Sequence, residues 1–563
     1  MEYSFTLTYL FNNEIKTISS EKFLFENDEL LLKGINDHSL KNSKYSFEIK
    51  AKKEIQLIDF KISKDYTFKK DDLLFLNGYQ SWTETKEYYP NEKIRSLNKL
   101  PKVLKKRFSF EEYGDSYFLN VSGKKGDFHG FTYAYIRNGT LYHLIASRND
   151  FNAYTIIRFN CRKNLIQIES DIKNLILKEN SKFMLLDFVE VEGKEKYVFD
   201  CYKEFFPMPE IRVKPISGFC SWYNYYQNIS EKIILENLNE IAKAGNEIFQ
   251  IDDGFQTFVG DFLSIDKNKF PNGLKVISDK IHEKGMKAGI WLAPLCAETK
   301  SEIAKNHKDW LIKDKNGEPL YVGCGWSRHY AYDIYNKDVQ KYIKKIFKFM
   351  VVDNNFDFLK LDFLYSACLG YRTDKTRAQV MRYTMEFIRE NTYGAEILGC
   401  GVPLVSAAGL VDYCRIGPDV SLKFDDHFFM KIAHRERIST KQTILNTISR
   451  RHIDKYWFLN DPDVYLLRDE NMHMNKKQKF SLGLINHIFG SLYLTSDNIA
   501  YYDDKKFEMN ELFKKFKNAK YSNVRREGNK YLFDAKLKKK IFHLHIILIM
   551  VVFYLLKNKE RIL

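Results

Sequence analysis

The rhythm of hydrophobic positions along the chain changes once, near Lys214 and Pro215. Before that point, short stretches such as EYSFTLTYL, KYSFEIKA, TLYHLIAS and YTIIRF alternate apolar and polar residues. The polar groups NDHS, RNGT and SRND between such stretches read as turns. A side-chain period of two, carried by aromatic and β-branched residues, predicts half-buried antiparallel strands, so residues 1–205 read as a β-sandwich. After the change, apolar runs alternate with segments of helical period. The runs are GFCSWY (218–223), EIFQIDDG (247–254), KAGIWLAP (287–294), FDFLKLDF (356–363), EILGCG (396–401), DYCRIG (412–417), YWFLND (456–461) and GSLYLTSD (490–497). Between the first two, SEKIILENLNEIAKAG predicts a helix capped by Ser230 and closed by Gly245. Eight such units over residues 206–497 predict a (β/α)8 TIM barrel, with room for only a small helix between the fifth and sixth strands. The expected fold is multidomain: an N-terminal antiparallel β-sandwich at 1–205, a central barrel at 206–497 and a short, atypical C-terminal segment at 498–563.

The length of 563 residues fits about three domains. With 44% hydrophobic and 15% aromatic residues the chain buries a large core, which excludes disorder over most of its length. The eight cysteines form no CxxC pair and none lies near a His-x-x-x-His, so a zinc site or disulfide framework is not expected. Reduced thiols, together with an N-terminus lacking a basic region followed by an apolar run, point to the cytoplasm.

In a barrel of this kind, side chains at the C-terminal ends of the strands converge on one mouth. The strand ends supply Trp222, then Asp252 and Asp253, then Trp291, then Lys360 and Asp362, then Cys400, then Arg415 with Asp419 beyond it, then Asn460 and Asp461. Indole faces stack on the C–H faces of sugars, while carboxylates, Lys and Arg bond their hydroxyls. Two separate carboxylates can cleave a glycosidic bond. The reading is a sugar-processing enzyme without a metal or other cofactor. Each residue also has a plainer reading. Lys360 and Asp362, at i and i+2 on one strand face, are either a buried ion pair or a nucleophile kept ionised by its neighbour. Asp252-Asp253 also suits a helix N-terminus. Arg415 and Asp419 suit a surface pair, Cys400 a small buried hydrophobe, and the tryptophans core positions. The joint placement at strand ends favours the site.

FCSWYNYYQNIS, FQIDDGFQ, GIWLAP, LKLDF, GCG, CRIGPDV and WFLNDPDVYLL, in this order, resemble glycoside hydrolase family 36, the α-galactosidases. The segment NGYQSW (77–82) resembles the part of that family's sandwich domain that reaches over the active site. The resemblance covers roughly residues 1–500. It implies that Asp362 is the nucleophile and Asp419 the acid/base of a retaining, metal-free double displacement. It places Asp252 and Asp253 on the galactose C4 and C6 hydroxyls, Trp82, Trp222 and Trp291 around the galactose, and Lys360, Cys400 and Arg415 on substrate. The acid/base segment reads RIGPDV, where many members carry an R-x-x-SDD-like sequence. In this scheme Lys360 keeps Asp362 charged, and Asp419 is the less solvated of the two acids. The implied substrates are α-galactoside oligosaccharides of the melibiose and raffinose type. α-N-acetylgalactosaminidase or transglycosylase activity on the same scaffold, and a catalytically silent sugar-binding protein, are the alternatives.

The formal net charge of +16 has a local origin. Residues 500–563 hold 16 Lys+Arg and 7 Asp+Glu, so more than half of the excess lies in the segment least like the family. A nucleic-acid binder needs a basic stripe or a recognised module, and residues 1–499 show neither. The apolar stretch Ile541–Leu556 is short for a membrane span. The expectation for 498–563 is the remnant of a closing β domain, ending in an apolar, basic tail that a reading-frame change near 536–541 would explain.

Overall fold

The computed structural model describes residues 3–39, 41–426, 430–431, 434–517, 519–537 and 540–547. The N-terminal region is two antiparallel sheets packed face to face, one of seven strands and one of eight. Strand Ser4–Phe11 alternates buried and half-buried positions as the sequence predicts, with Phe5, Leu7 and Tyr9 inward. Two local expectations change. Asn36, Asp37 and His38 of the supposed NDHS turn extend the strand Leu30–His38, paired with Ser43–Tyr45. The half-buried reading also fails for part of the eight-stranded sheet, which is covered on both faces. In Tyr133–Asn138, Ala134 and Ile136 point into the core between the sheets, while Tyr133 and Tyr135 point into a second core shared with the barrel. Tyr133 meets the barrel's Trp457 edge-on, ring centroids 5.9 Å apart. This apolar seam, rather than a hinge, joins the two regions.

The barrel's eight strands are Ile216–Cys220, Ile248–Ile251, Lys287–Leu292, Phe358–Leu361, Glu396–Gly399, Tyr413–Arg415, Leu459–Asp461 and Leu492–Thr495. Seven lie within one of the apolar runs, and the first begins two residues before its run, at Ile216. All ladders are parallel, from the seventh strand round through the first to the eighth. The seam between the seventh and eighth strands is bridged by the Ser491 amide to the Asn460 carbonyl (2.9 Å) and the Tyr465 amide to the Leu494 carbonyl (2.9 Å). The first crossover helix, Glu231–Lys243, starts where Ser230 Oγ accepts the Ile233 amide at 3.3 Å. Its buried Ile234, Leu238 and Ile241 recur at the i, i+4, i+7 spacing of a core-facing stripe. The helix between strands five and six is Leu404–Ala407, four residues long.

Beyond the barrel, helix Asp504–Phe516 leads to a three-stranded antiparallel sheet, Lys520–Glu527, Lys530–Leu537 and Lys540–Ile547. The start of the apolar stretch is therefore strand rather than helix. Leu544 is fully buried opposite Phe533, and Phe542 packs edge-on against Phe516. No helix among the described residues is long and apolar enough to cross a membrane. The remainder of the basic tail lies outside the described residues.

Candidate active site

A cavity of about 760 Å³ opens at the C-terminal end of the barrel. Trp82, Trp222, Asp252, Asp253, Trp291, Lys360, Asp362 and Asp419 all line it. Cys400 and Arg415, also expected on substrate, do not. Both are buried behind the wall. The wall carries Asp252, Asp253, Asp362, Asp419, Asp426 and Glu436 against Lys360 and Arg437, so the mouth is acidic although the chain is basic.

Asp362 follows the fourth strand directly. Its Oδ2 accepts Trp291 Nε1 at 3.2 Å and its Oδ1 accepts the Phe363 amide at 2.9 Å. Phe363 has φ 56°, a left-handed conformation unusual for an aromatic residue, which turns the chain away so that the carboxylate faces the cavity. The GCG motif serves this turn. At Gly401 (φ 56°) a Cβ would stand 2.8 Å from the Trp82 ring and 3.2 Å from the Phe363 amide, so only glycine lets the two segments meet.

The charge environment differs from the sequence expectation in two respects. Lys360 does not hydrogen-bond Asp362. Its Nζ donates to Asp252 Oδ2 at 2.8 Å, with both groups buried. Burial raises the Asp362 carboxyl above its ordinary value, which the positive charge of Lys360 and the thiol of Cys400 only partly offset. The solvation order of the two acids is also the reverse of that expected. Asp419 is 35% exposed at its side chain, whereas Asp362 is 8% exposed as a residue.

Arg415 explains how Asp419 is held. It is 1% exposed and not part of a surface pair, and it reaches three carboxylates: Nη1 to Asp419 at 2.9 Å, Nε to Asp461 at 2.8 Å and Nη2 to Asp463 at 2.9 Å. One cation among three acids leaves an excess of negative charge. The burden falls on Asp463, whose carboxyl is pushed up to about 6 by burial, opposed by Arg415 and aided by Asp419 and Asp461. Asp463 is also tied to the Tyr223 hydroxyl and the Val420 amide, so it fixes the segment that carries Asp419.

Asp252 and Asp253 take no part in capping a helix. Asp252 accepts Gln250 Nε2 at 2.7 Å besides Lys360. Asp253 accepts Trp326 Nε1 at 2.9 Å, Gln227 Nε2 at 2.8 Å and Gln256 Nε2 at 2.6 Å. Burial nevertheless raises the Asp253 carboxyl, since these neutral donors only partly offset it. The glycine of IDDG has a matching reason: at Gly254 (φ 123°) a Cβ would stand 2.7 Å from the Gln227 carbonyl oxygen. Trp326, Gln227 and Asp463 are site residues that the reading of strand ends missed, because all three sit on loops beyond the apolar runs. A tryptophan within the glycine-containing GCGW segment was the one local signal for Trp326.

Trp82 comes from the sandwich domain, and helix Thr440–Ser449 explains how it reaches the mouth. Gln442, Asn446 and Arg450, at i, i+4 and i+8, form one polar stripe. Gln442 Nε2 donates to the Trp82 carbonyl at 3.2 Å, and Asn446 Nδ2 to the Thr83 carbonyl at 2.9 Å. Arg450 donates to the carbonyls of Gly78, Gln80, Ser81 and Ile416 and to Asn77 Oδ1, at 2.7–3.2 Å. Fully buried without a carboxylate partner among the described residues, it has its pKa lowered to about 9 by burial. Arg450→Met removes all five bonds and strands several buried carbonyls, so we expect a loss of about 3 kcal/mol or more in urea unfolding. Because Trp82 rides on this segment, activity should fall further than the folded fraction does. An unchanged midpoint would show that the segment is held by other contacts.

Residues 209–387 match the family model described as Melibiase, a span that includes Asp252, Asp253, Trp291, Lys360 and Asp362. Among curated proteins, the chain is 27% identical over 161 residues to alpha-galactosidase Mel36A of Lactobacillus acidophilus, covering 27% of this chain and 21% of that protein. It is 26% identical over 166 residues to an alpha-galactosidase of Escherichia coli, covering 28% of this chain and 23% of that protein. The matched stretches thus span less than a quarter of these relatives' own length. In fold the chain is similar to TtGalA, an alpha-galactosidase from Thermus thermophilus solved with p-nitrophenyl α-D-galactopyranoside. The TM-score is 0.71 at 23% identity, over 91% of this chain and 97% of that one. The barrel and the residues gathered at its mouth thus go together with a Melibiase match over residues 209–387 and a likeness in fold to alpha-galactosidases of glycoside hydrolase family 36.

Proposed function

We propose that the protein is a retaining α-galactosidase, releasing terminal α-linked galactose from oligosaccharides of the melibiose and raffinose type by double displacement. The carrying observation is two carboxylates of unlike surroundings on one indole-lined cavity: buried Asp362 against Trp291, and half-exposed Asp419 on Arg415. Galactose sits among the tryptophans, with its C4 and C6 hydroxyls bound by Asp252 and Asp253. Asp419, on the solvent side where a leaving group departs, donates a proton to the glycosidic oxygen while Asp362 attacks the anomeric carbon. Asp419 then takes a proton from water, which releases galactose with its configuration kept. Trp291 Nε1 and the Phe363 amide hold the Asp362 carboxylate in line for attack. Lys360 acts one step removed, by fixing Asp252. The Arg415 network positions Asp419, and Cys400 packs behind the nucleophile. Eight free cysteines fit a reducing compartment, in keeping with the cytoplasm.

The test is a screen of aryl α-galactoside, aryl β-galactoside and aryl α-glucoside, with turnover expected for the first alone. Turnover of either of the others in its place would refute the proposal. A pH profile adds a signed expectation. The nucleophile must be ionised, and burial raises its carboxyl, so the acid limb of kcat/KM should lie above the ordinary aspartate range. Lys360→Met removes a positive charge that opposes this rise, so it should move the limb to still higher pH. A limb that stays in place in the variant would separate Lys360 from the nucleophile's ionisation.

A further inference from the structure

A second cavity, of about 590 Å³, lies at the same end of the barrel, within the ~300–1,000 Å³ usual for ligand pockets. It is built on three of the loops that follow strands: Asn224 and Tyr225 after the first, Arg468–Glu470 after the seventh, and Asn498–Tyr502 after the eighth. Helix Trp222–Tyr225 serves both cavities, with Trp222 in the wall of the first and Asn224 and Tyr225 in the wall of the second. Tyr226, 43% exposed, stands edge-on to Trp222 at 5.2 Å. Asp419 lines the first cavity and Arg468 the second, and the Tyr226 hydroxyl lies within electrostatic range of both.

The lining has the chemistry of a polyol site. Tyr225 and Tyr501 offer aromatic faces, and Tyr501 is 75% exposed, a large ring left in water. Asn224, Asn237 and Asn498 offer amides. Asn237 is 95% buried. Its Nδ2 donates to Tyr225 Oη and the Ile233 carbonyl, both at 2.8 Å, yet its Oδ1 has no hydrogen-bond partner among the described residues. An unmet acceptor on a residue that lines the cavity calls for a donor that the described residues do not supply. Charges of both signs, Arg468 with Asp469 and Glu470, disfavour an anion or a cation as the occupant.

We infer that this cavity is a distal binding site for the leaving-group side of an oligosaccharide, entered past Asp419, Trp222 and Tyr226. The inference rests on the α-galactosidase reading and deepens it, because the part of the substrate beyond the scissile bond must leave on the side of the acid/base. The inference requires that a tetrasaccharide reach the cavity and that a short aryl galactoside end before it.

Tyr501→Ala and Tyr501→Trp test the inference without touching the catalytic cavity. For Tyr501→Ala we expect kcat/KM on stachyose to fall about tenfold, the loss of one stacking face, with p-nitrophenyl α-D-galactopyranoside unchanged. Tyr501→Trp keeps a stacking face and should retain stachyose turnover. Equal effects on the two substrates in Tyr501→Ala, or none on either, would overturn the inference. If the wild type cleaves no α-galactoside, the catalytic reading fails by itself. Saturation-transfer NMR of stachyose on wild type and Tyr501→Ala then decides the site, with weaker transfer to the non-galactose end of the sugar expected in the variant and equal transfer refuting it.

Discussion

Asp362→Asn is expected to lower kcat on an aryl α-galactoside by roughly 10⁴-fold or more, as removal of a nucleophile does elsewhere. It should leave the fold intact, and the charge contribution to stability has a definite sign. The carboxyl is raised by burial in the folded protein, so the folded state binds its proton more tightly than the unfolded chain. For such a group stability is fully present below the unfolded pKa and declines as pH rises through the folded one. At neutral pH the ionised Asp362 is thus a cost, and the neutral amide relieves it. Its single oxygen can accept only one of the two donors that the carboxylate takes, Trp291 Nε1 or the Phe363 amide, so one hydrogen bond is lost. The relief of the buried charge and the lost hydrogen bond oppose each other, so the melting temperature of Asp362→Asn should stay close to that of the wild type. A variant that is inactive because it is unfolded would remove the case for a nucleophile, and a variant with near wild-type turnover would refute it outright.

Arg415→Leu should have the largest effect on stability. The guanidinium is the common cation of Asp419, Asp461 and Asp463, and the last two are fully buried. Breaking a buried pair from one side typically costs 3–5 kcal/mol, because the charge left behind has neither water nor a partner. Here two such charges are left, so the loss should reach the upper end of that range, read as a fall in the urea midpoint. The double variant Arg415→Leu with Asp463→Asn should recover part of it, since one stranded carboxylate is then neutral. Activity should not return with it, because Asp419 remains without its anchor. If the double variant is no more stable than the single one, the energy lies in packing rather than in charge.

Much of this site was legible in the chain because the barrel converts sequence position into spatial position. An apolar run marks a strand, and the residue that ends it is delivered to the mouth. Asp252, Trp291 and Asp362 were found in that way. The same rule misled at Asp362. Treating Lys360 and Asp362 as neighbours on one strand face supposes that the strand continues, whereas it ends at Leu361 and the left-handed turn at Phe363 redirects the carboxylate. Lys360 is therefore free to pair with Asp252 across the barrel. Trp326, Gln227 and Asp463 sit on loops, where position depends on tertiary contacts that no periodicity encodes. The stripe Gln442, Asn446 and Arg450 was visible as spacing, but its partner, the carbonyl-rich segment 77–83, lies some 360 residues away. The doubly buried strand Tyr133–Asn138 reads as half-buried until the barrel is known to cover its second face.

The central claim is that Asp362 and Asp419 cleave an α-galactoside by two displacements. The most direct test is proton NMR of p-nitrophenyl α-D-galactopyranoside during its first minutes with the wild-type enzyme, before the sugar mutarotates. The mechanism predicts that α-galactose appears first and β-galactose grows in only later. If β-galactose appears first, one displacement has occurred, and Asp362 cannot be the nucleophile.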